Sequence, residues 1–314
     1  MEYEIPKTLQ EAVLHFSDPY TCINFVAVMR WGGGDAVCPR CGSDSTSWLE
    51  NQKRWQCKGC RKQFSVKLGT IFEDSAIGLD KWLMAMWLLA NCKNGISSYE
   101  LHRGLGITQK SAWFVLHRLR FAMQSGTIDK LSGTVEADET YIGGSTKNMH
   151  AKRRKSLLRY GHTLNTYDHK TAVFGMLERK GRVSAKVVKQ TRKEDLIPLM
   201  KEHIDESANV ITDQAKVYKY LYELFVHETI NHSIEYVRDH VHTNSIENFW
   251  SLLKRTIKGT YVSVAPEHLQ AYVEEQSFRY NERKGTDRTR FVALVESISG
   301  RRLTYKQLIG YETA

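Results

Sequence analysis

Two Cys-x-x-Cys pairs constrain this chain more tightly than any other feature. Cys38-Pro-Arg-Cys41-Gly is followed, after residues 42–56, by Cys57-Lys-Gly-Cys60. Each short loop turns two sulfurs toward a common point, and Gly42 and Gly59 permit the tight backbone. Four thiolates select Zn²⁺ in a closed tetrahedral site, which is structural because no coordination position stays open for a substrate. The spacing predicts a zinc ribbon over residues 36–72 with Cys38, Cys41, Cys57 and Cys60 as ligands. Disulfides are the competing use of such cysteines and belong to secreted chains. This chain opens Met1-Glu2-Tyr3-Glu4, acidic where a signal peptide is basic and then apolar, so a cytoplasmic protein is expected. Cys22 and Cys92 lie in apolar stretches and are expected to pack as small hydrophobes.

The 314 residues carry 45 Lys and Arg against 35 Asp and Glu, a net charge of +10. That surplus favours a polyanionic partner, either nucleic acid or an anionic membrane face. The longest uncharged apolar run, residues 82–90, is less than half of the roughly 20 residues that a spanning helix needs. At roughly 150 residues per domain, the length implies about two domains.

The first half reads as small DNA-binding modules. Thr8-Leu-Gln-Glu11 is a capping-box signature, and an apolar-periodic stretch over residues 19–31 ends at Gly32-Gly-Gly34, giving a helical segment over residues 1–35. The second half of the ribbon, residues 51–67, carries Lys53, Arg54, Lys58, Arg61, Lys62 and Lys67 with no acid, interleaved with Trp55 and Phe64; Lys58, Arg61 and Lys62 are expected to meet phosphates. After a core helix beginning near Asp80, Ser97-Ser-Tyr-Glu100 caps a short helix to Leu105. Gly106-Ile-Thr108 then turns into a helix from Gln109 to about Met123. Two short helices around a glycine turn read as helix-turn-helix within residues 79–130. In that motif the first turn of the second helix meets base edges, which nominates Gln109, Lys110 and Ser111, with Arg118 and Arg120 near phosphates.

From Gly133 the pattern changes to strands at residues 134–138, 169–178, 182–190 and 210–213, with helices over 193–203, 216–224, 245–256 and 267–281. Three strands, then helix, strand and helix in alternation, predict an α/β layer fold with a mixed sheet. Residues 145–160 read as a loop whose basic run, Lys147, Lys152, Arg153, Arg154, Lys155 and Arg159, suits a phosphate backbone.

Two of these strands end in aspartate, Asp138 and Asp213, where ligands bind in open α/β sheets. Glu247 begins an amphipathic helix 34 positions after Asp213, and Lys254 lies two turns further along the same face. Three converging carboxylates need a cation, and all-oxygen ligands favour Mg²⁺ or Mn²⁺. A pair of such ions can activate a water or 3′-hydroxyl for in-line attack on a phosphodiester. Glu136 shares a strand face with Asp138, and Glu139 is adjacent, so periodicity does not choose among the three.

These residues resemble the bacterial and archaeal insertion-sequence transposases that combine an amino-terminal zinc ribbon with a DDE catalytic domain of RNase H-like fold. The likeness rests on Arg30-Trp31, the cysteine pairs, Gln63-Phe-Ser-Val66, Gly69-Thr-Ile-Phe72, Ala112-Trp113, His117-Arg-Leu-Arg120 and Glu136-Ala-Asp-Glu-Thr-Tyr-Ile-Gly-Gly144. His242-Thr-Asn-Ser-Ile-Glu-Asn-Phe-Trp250, Lys254-Arg255, Gly259-Thr-Tyr261 and Arg279-Tyr-Asn-Glu-Arg283 complete it. The resemblance implies that Asp138, Asp213 and Glu247 form a triad holding two Mg²⁺ or Mn²⁺ ions, with Lys254 as the basic residue after the glutamate. It thereby selects Asp138 over Glu136. Gln214 and Asn248 stand where relatives often carry glycine.

The expectation is a DNA transposase that binds terminal inverted repeats, cleaves at them and joins the freed ends to target DNA. Its catalytic domain spans residues 131–314. Lys152, Arg153, Arg154, Lys254 and Arg255 track DNA, and at least a dimer acts. The competing readings are a regulator that keeps the DNA-binding modules without strand transfer, and an RNase H-like nuclease acting on branched or hybrid substrates.

Overall fold

The computed structural model describes residues 4–124, 129–144, 146–160, 170–219, 221–230 and 241–310. The chain divides into two units, Met1–Gln124 with Glu282–Ala314, and Ser125–Asn281.

The first unit begins with α1 (Leu9–His15) and α2 (Pro19–Trp31), the latter ending at Gly32 in the left-handed region. A three-stranded antiparallel sheet follows, β1 (Thr46–Leu49), β2 (Arg54–Cys57) and β3 (Gln63–Phe64). Next come α3 (Leu79–Asn91), α4 (Ser98–Leu105) and α5 (Gln109–Met123). The Ser97 and Glu100 capping box closes as the sequence predicts, with bonds of 3.2 and 2.8 Å. Gly106 takes φ +59 at the turn, and the Thr108 hydroxyl accepts from the Ser111 amide at 3.1 Å.

The second unit is built on β4 (Thr134–Ile142), α6 (Ala151–Arg159), β5 (Thr171–Glu178), β6 (Val183–Val188), α7 (Lys193–His203), β7 (Asn209–Asp213), β8 (Val226–Ile230), α8 (Asn244–Thr256) and α9 (Leu269–Asn281). Its five-stranded sheet has the order β6-β5-β4-β7-β8, antiparallel between β6, β5 and β4 and parallel between β4, β7 and β8. This is the mixed α/β sheet expected from the sequence. Strand alternation splits β5 between two cores, with Ala172, Phe174 and Met176 on one face and Val173 and Leu177 on the other. Val135 and Ala137 join Leu196 and Met200 of α7 on one face, while Val173, Leu177 and Val183 pack against Ile246, Phe249, Leu253 and Val273 on the other.

The structure departs from the expected elements at four places. The basic run over 145–160, read as a loop, forms α6, because Ala, Lys, Arg and Leu favour helix even without an apolar stripe. Residues 216–224 make two single 3-10 turns instead of a helix, at Lys216–Tyr218 and Leu221–Glu223, and the half-exposed edge strand β8 follows. At its end α8 continues as a π-helical turn, Ile257–Tyr261. Finally, the region after Asn281, assigned by sequence to the catalytic half, belongs to the first unit. There α10 (Asp287–Glu296) stacks Phe291 on Phe25 at 5.7 Å, the Ile71 amide donates to the Ile298 carbonyl at 3.1 Å, and α11 (Tyr305–Leu308) ends the described chain. No helix among the described residues is long and apolar enough to cross a membrane.

Candidate active site and metal centre

In the first unit the four cysteines converge. Their sulfurs lie within 4.8 Å of one another, with Cys38 and Cys60 at 3.8 Å and Cys41 and Cys57 at 3.6 Å. A tetrahedron with metal–sulfur bonds of about 2.3 Å puts its sulfurs about 3.8 Å apart, whereas a disulfide needs about 2.05 Å. The spacing therefore fits zinc and excludes disulfides. Local sequence sets it: the Cys60 amide donates to the Cys57 sulfur at 3.4 Å, holding that thiol down at about 6, and Gly42 at φ +74 closes the first loop with a 2.9 Å bond to the Cys38 carbonyl. Trp31, Trp55 and Phe64 pack beneath the cluster.

In the second unit, Asp138 sits on the central strand and Asp213 ends its parallel neighbour. Burial pushes the Asp138 carboxyl up to about 6; the Trp250 hydrogen bond opposes that rise, and the Asp213 and Glu247 charges add to it. The three carboxylates that the sequence nominated are thus electrostatic neighbours. Among the described residues, however, only the four cysteines bring three or more ligating atoms within 4.8 Å. Asp213 accepts from the Ala215 amide at 2.9 Å, and Glu247, exposed on α8, accepts from the Thr243 hydroxyl at 3.1 Å. The buried Asp138 carboxylate, with its charge disfavoured, is a hard oxygen donor of the kind a divalent cation takes. Burial depresses the Lys254 ammonium, while Asp138 favours its charge.

Trp250 donates its indole N–H to Asp138 Oδ2 at 2.9 Å. Gly175 pairs with Asp138 across β4 and β5, and a Cβ there would meet Trp250 Cη2 at 2.5 Å. Neither residue's part was read from the sequence; a glycine inside an apolar strand is the signal that marks a close approach.

The two alternative acids have other surroundings. Glu136, fully buried, accepts from the Ser245 and Ile246 amides at 2.9 and 3.0 Å and from Arg179 at 2.7 Å. Glu139, one residue beyond Asp138, is held up at about 7 by burial and by the Asp138 and Asp213 charges.

The expected DNA-contacting residues separate by exposure. Lys58, Arg61, Lys62, Lys110, Lys152, Arg154 and Arg255 are exposed; the Arg153 side chain lies outside the described residues. Gln109 donates to the Ser98 hydroxyl at 2.9 Å, and Ser111 accepts from the Thr108 hydroxyl at 2.9 Å, so both serve the turn. The expectation for Arg118 is corrected. It is buried and donates to the Leu303, Ile71 and Glu73 carbonyls at 2.9, 2.8 and 2.7 Å, because α5 turns its central face into the unit's interior. Arg120 is buried as well.

Residues 130–281 match the family described as the ISXO2-like transposase domain, and residues 19–63 match the transposase zinc-ribbon domain. A protein of transposable element ISH50 from Halobacterium salinarum is 28% identical over 270 residues, covering 82% of this chain and 88% of the relative. A transposase-like protein from Haemophilus influenzae is 31% identical over 103 residues, covering 32% of this chain and 83% of that one. A simian T-cell lymphotropic virus intasome structure, solved with a PP2A regulatory subunit, aligns at 15% identity and a TM-score of 0.28 over 60% of this chain and 66% of that one, too low to assign a fold.

Proposed function

The chain belongs to the ISXO2-like transposase family with a transposase zinc ribbon, and from that premise we propose that it is a DNA transposase with Asp138, Asp213 and Glu247 as its catalytic triad. The observation that carries this reading is the placement of Asp138 on the central strand, beside the parallel strand that ends at Asp213 and hydrogen-bonded to Trp250 of the helix that carries Glu247. Three antiparallel strands followed by two parallel ones, with α8 laid across β4 and β5, support an RNase H-like catalytic core running to Asn281.

Two Mg²⁺ or Mn²⁺ ions held by the triad would supply Lewis acidity to the attacking and leaving oxygens. Asp138, Asp213 and Glu247 offer the oxygen ligands, and Lys254 holds the DNA backbone as a point charge beside Asp138. Water attacks a phosphodiester at the element's end and the 3′-oxygen leaves as a hydroxyl. That hydroxyl then attacks a target phosphodiester, forming the new bond as the target's 3′-oxygen departs.

Recognition of the terminal inverted repeats falls to the first unit. Its ribbon presents Lys58, Arg61 and Lys62, and its helix-turn-helix, α4 and α5, presents Lys110 beside Gln109 and Ser111. Lys152, Arg153 and Arg154 of α6 and Arg255 of α8 track phosphates around the catalytic unit. Joining two ends takes two active sites, so the chain acts as a dimer or larger assembly on DNA, in the cytoplasm with the nucleoid.

Incubation with labelled terminal repeats in Mg²⁺ tests this reading. Wild type should nick the repeat end and a scrambled end should stay intact; equal cleavage of both would leave a non-specific nuclease. Inverted repeats flanking the gene itself, bordered by short direct duplications, would separate a mobile element from a regulator.

A further inference from the structure

The deepest carboxylate beside the proposed triad belongs to Glu136. Its side chain is fully buried. Oε2 accepts from the Ser245 and Ile246 amides at 2.9 and 3.0 Å, and Oε1 from the Ser245 hydroxyl at 3.0 Å and Arg179 Nε at 2.7 Å. His242 Nδ1 stands 3.4 Å from Oε1, and the second arm of Arg179 donates to the His242 carbonyl at 2.7 Å. These amides belong to the first turn of α8, whose N-cap residue, Thr243, makes no side-chain capping bond. The helix is therefore capped from another element, by a negative charge at the positive end of its dipole.

Glu136 and Asp138 share one face of β4, two residues or about 6.7 Å apart. On α8 the capped amides and Trp250 are four to five residues apart, about 6–7.5 Å at 1.5 Å per residue. The strand and the helix thus meet at two points with matched spacing, Glu136 on the helix start and Asp138 on Trp250. Glu247 lies between those points, one residue after Ile246.

We propose that Glu136, clamped by Arg179, is a positioning residue that sets the distance between Glu247 and Asp138 and so the affinity of the triad for its divalent ions. The inference rests on the triad reading above. A carboxylate that only stabilised the fold would change melting and leave metal affinity alone. A positioning carboxylate changes metal affinity while the fold is intact.

The test is Mn²⁺ binding to the full, zinc-loaded chain, followed by titration calorimetry and by the Mn²⁺ resonance signal. Wild type should show a site that Asp138→Asn abolishes. Glu136→Gln should weaken that site by about tenfold or more, with zinc content and circular dichroism unchanged below the melting temperature. Arg179→Lys keeps the charge and loses the two-armed fork, so it should weaken the site by about threefold and serves if Glu136→Gln does not fold. Binding within about twofold of wild type in each variant that folds would overturn the inference. A wild-type chain with no Asp138-dependent site would instead overturn the triad reading, and this inference with it.

Discussion

Trp250 of α8 donates to the Asp138 carboxylate of β4 at 2.9 Å, and the space its ring occupies exists because position 175 on the paired strand is glycine. The contact joins the helix that carries Glu247 and Lys254 to the strand that carries Asp138. Replacing Gly175 by alanine would place a methyl group 2.5 and 2.7 Å from two ring carbons, with Ile246 at 3.0 Å behind them. Overpacking of this kind costs about 1–3 kcal/mol. Gly175→Ala should lower the unfolding free energy of the second unit by that amount, and Trp250→Phe, which removes one hydrogen bond, by about 1 kcal/mol. Equal stability of Gly175→Ala and wild type would show that the helix shifts freely on the sheet.

Protonation of Asp138 gives a pH signature. Its folded-state value of about 6 lies above the ordinary 3.8, so the folded chain holds that proton more tightly than the unfolded one. The stabilisation is fully present below pH 4 and is lost as pH rises through 6. Asp138→Asn removes the buried charge. In metal-free buffer at pH 8 it should be more stable than wild type by roughly 2 kcal/mol, with the gap closing below pH 4. Saturating Mn²⁺ should reverse the order at pH 8. Thermal melts of both proteins across pH 4–8 measure it; a gap that does not vary with pH would place the charge in solvent.

The zinc centre and the corrected Arg118 divide the first unit's residues by role. Cys57→Ser should lose the metal and, with it, repeat binding, because a ribbon with two- and four-residue strands has little core apart from its metal. Metal content by mass spectrometry and a mobility-shift assay report both; retained binding without zinc would make the ribbon dispensable for recognition.

Arg118→Ala should behave as a core substitution. Three backbone carbonyls lose their donor, costing about 2–4 kcal/mol, while the salt dependence of DNA binding stays as in wild type. Lys110→Ala should do the opposite, leaving stability unchanged and flattening the salt slope by about one unit. A flattened slope for Arg118→Ala would return that residue to the DNA interface.

Five non-glycine residues among those described take positive φ, and Val262, just beyond α8, is the β-branched one. Val262 takes φ +63 and ψ −54, and the Ser263 amide closes on the Tyr261 carbonyl at 2.6 Å, a tight turn that β-branched residues rarely adopt. The side chain is exposed, so Val262→Gly loses little packing and should raise stability by about 1 kcal/mol. A lower melting temperature would mean that the valine makes contacts that outweigh the strain.

What the sequence made legible followed covalent or periodic constraints. The cysteine spacing named its cluster because ligand geometry fixes loop length, and Ser97, Glu100, Gly106 and Thr108 marked the ends of α4 and α5 because capping is local. The amphipathic stretch around Glu247 located α8 to within one residue of its start. Position in space was not legible. Phe291 and Ile298 return to the first unit through packing that no nearby residue announces. Arg118 carries the same charge whether it faces phosphate or three buried carbonyls, so its place on the second helix of a helix-turn-helix did not reveal which. Glu136 and Asp138 obey one periodicity, and only the helix start above Glu136 separates their surroundings.

Strand joining measures the central claim most directly. Wild type and the variants Asp138→Ala, Asp213→Ala and Glu247→Ala would be incubated with pre-cut terminal repeats, plasmid target and Mg²⁺, and joined products counted by sequencing across the junctions. Wild type should give end-specific junctions and each variant a loss of at least about a hundredfold, with repeat binding retained. Undiminished joining by any of the three, or no joining by wild type, would contradict the claim.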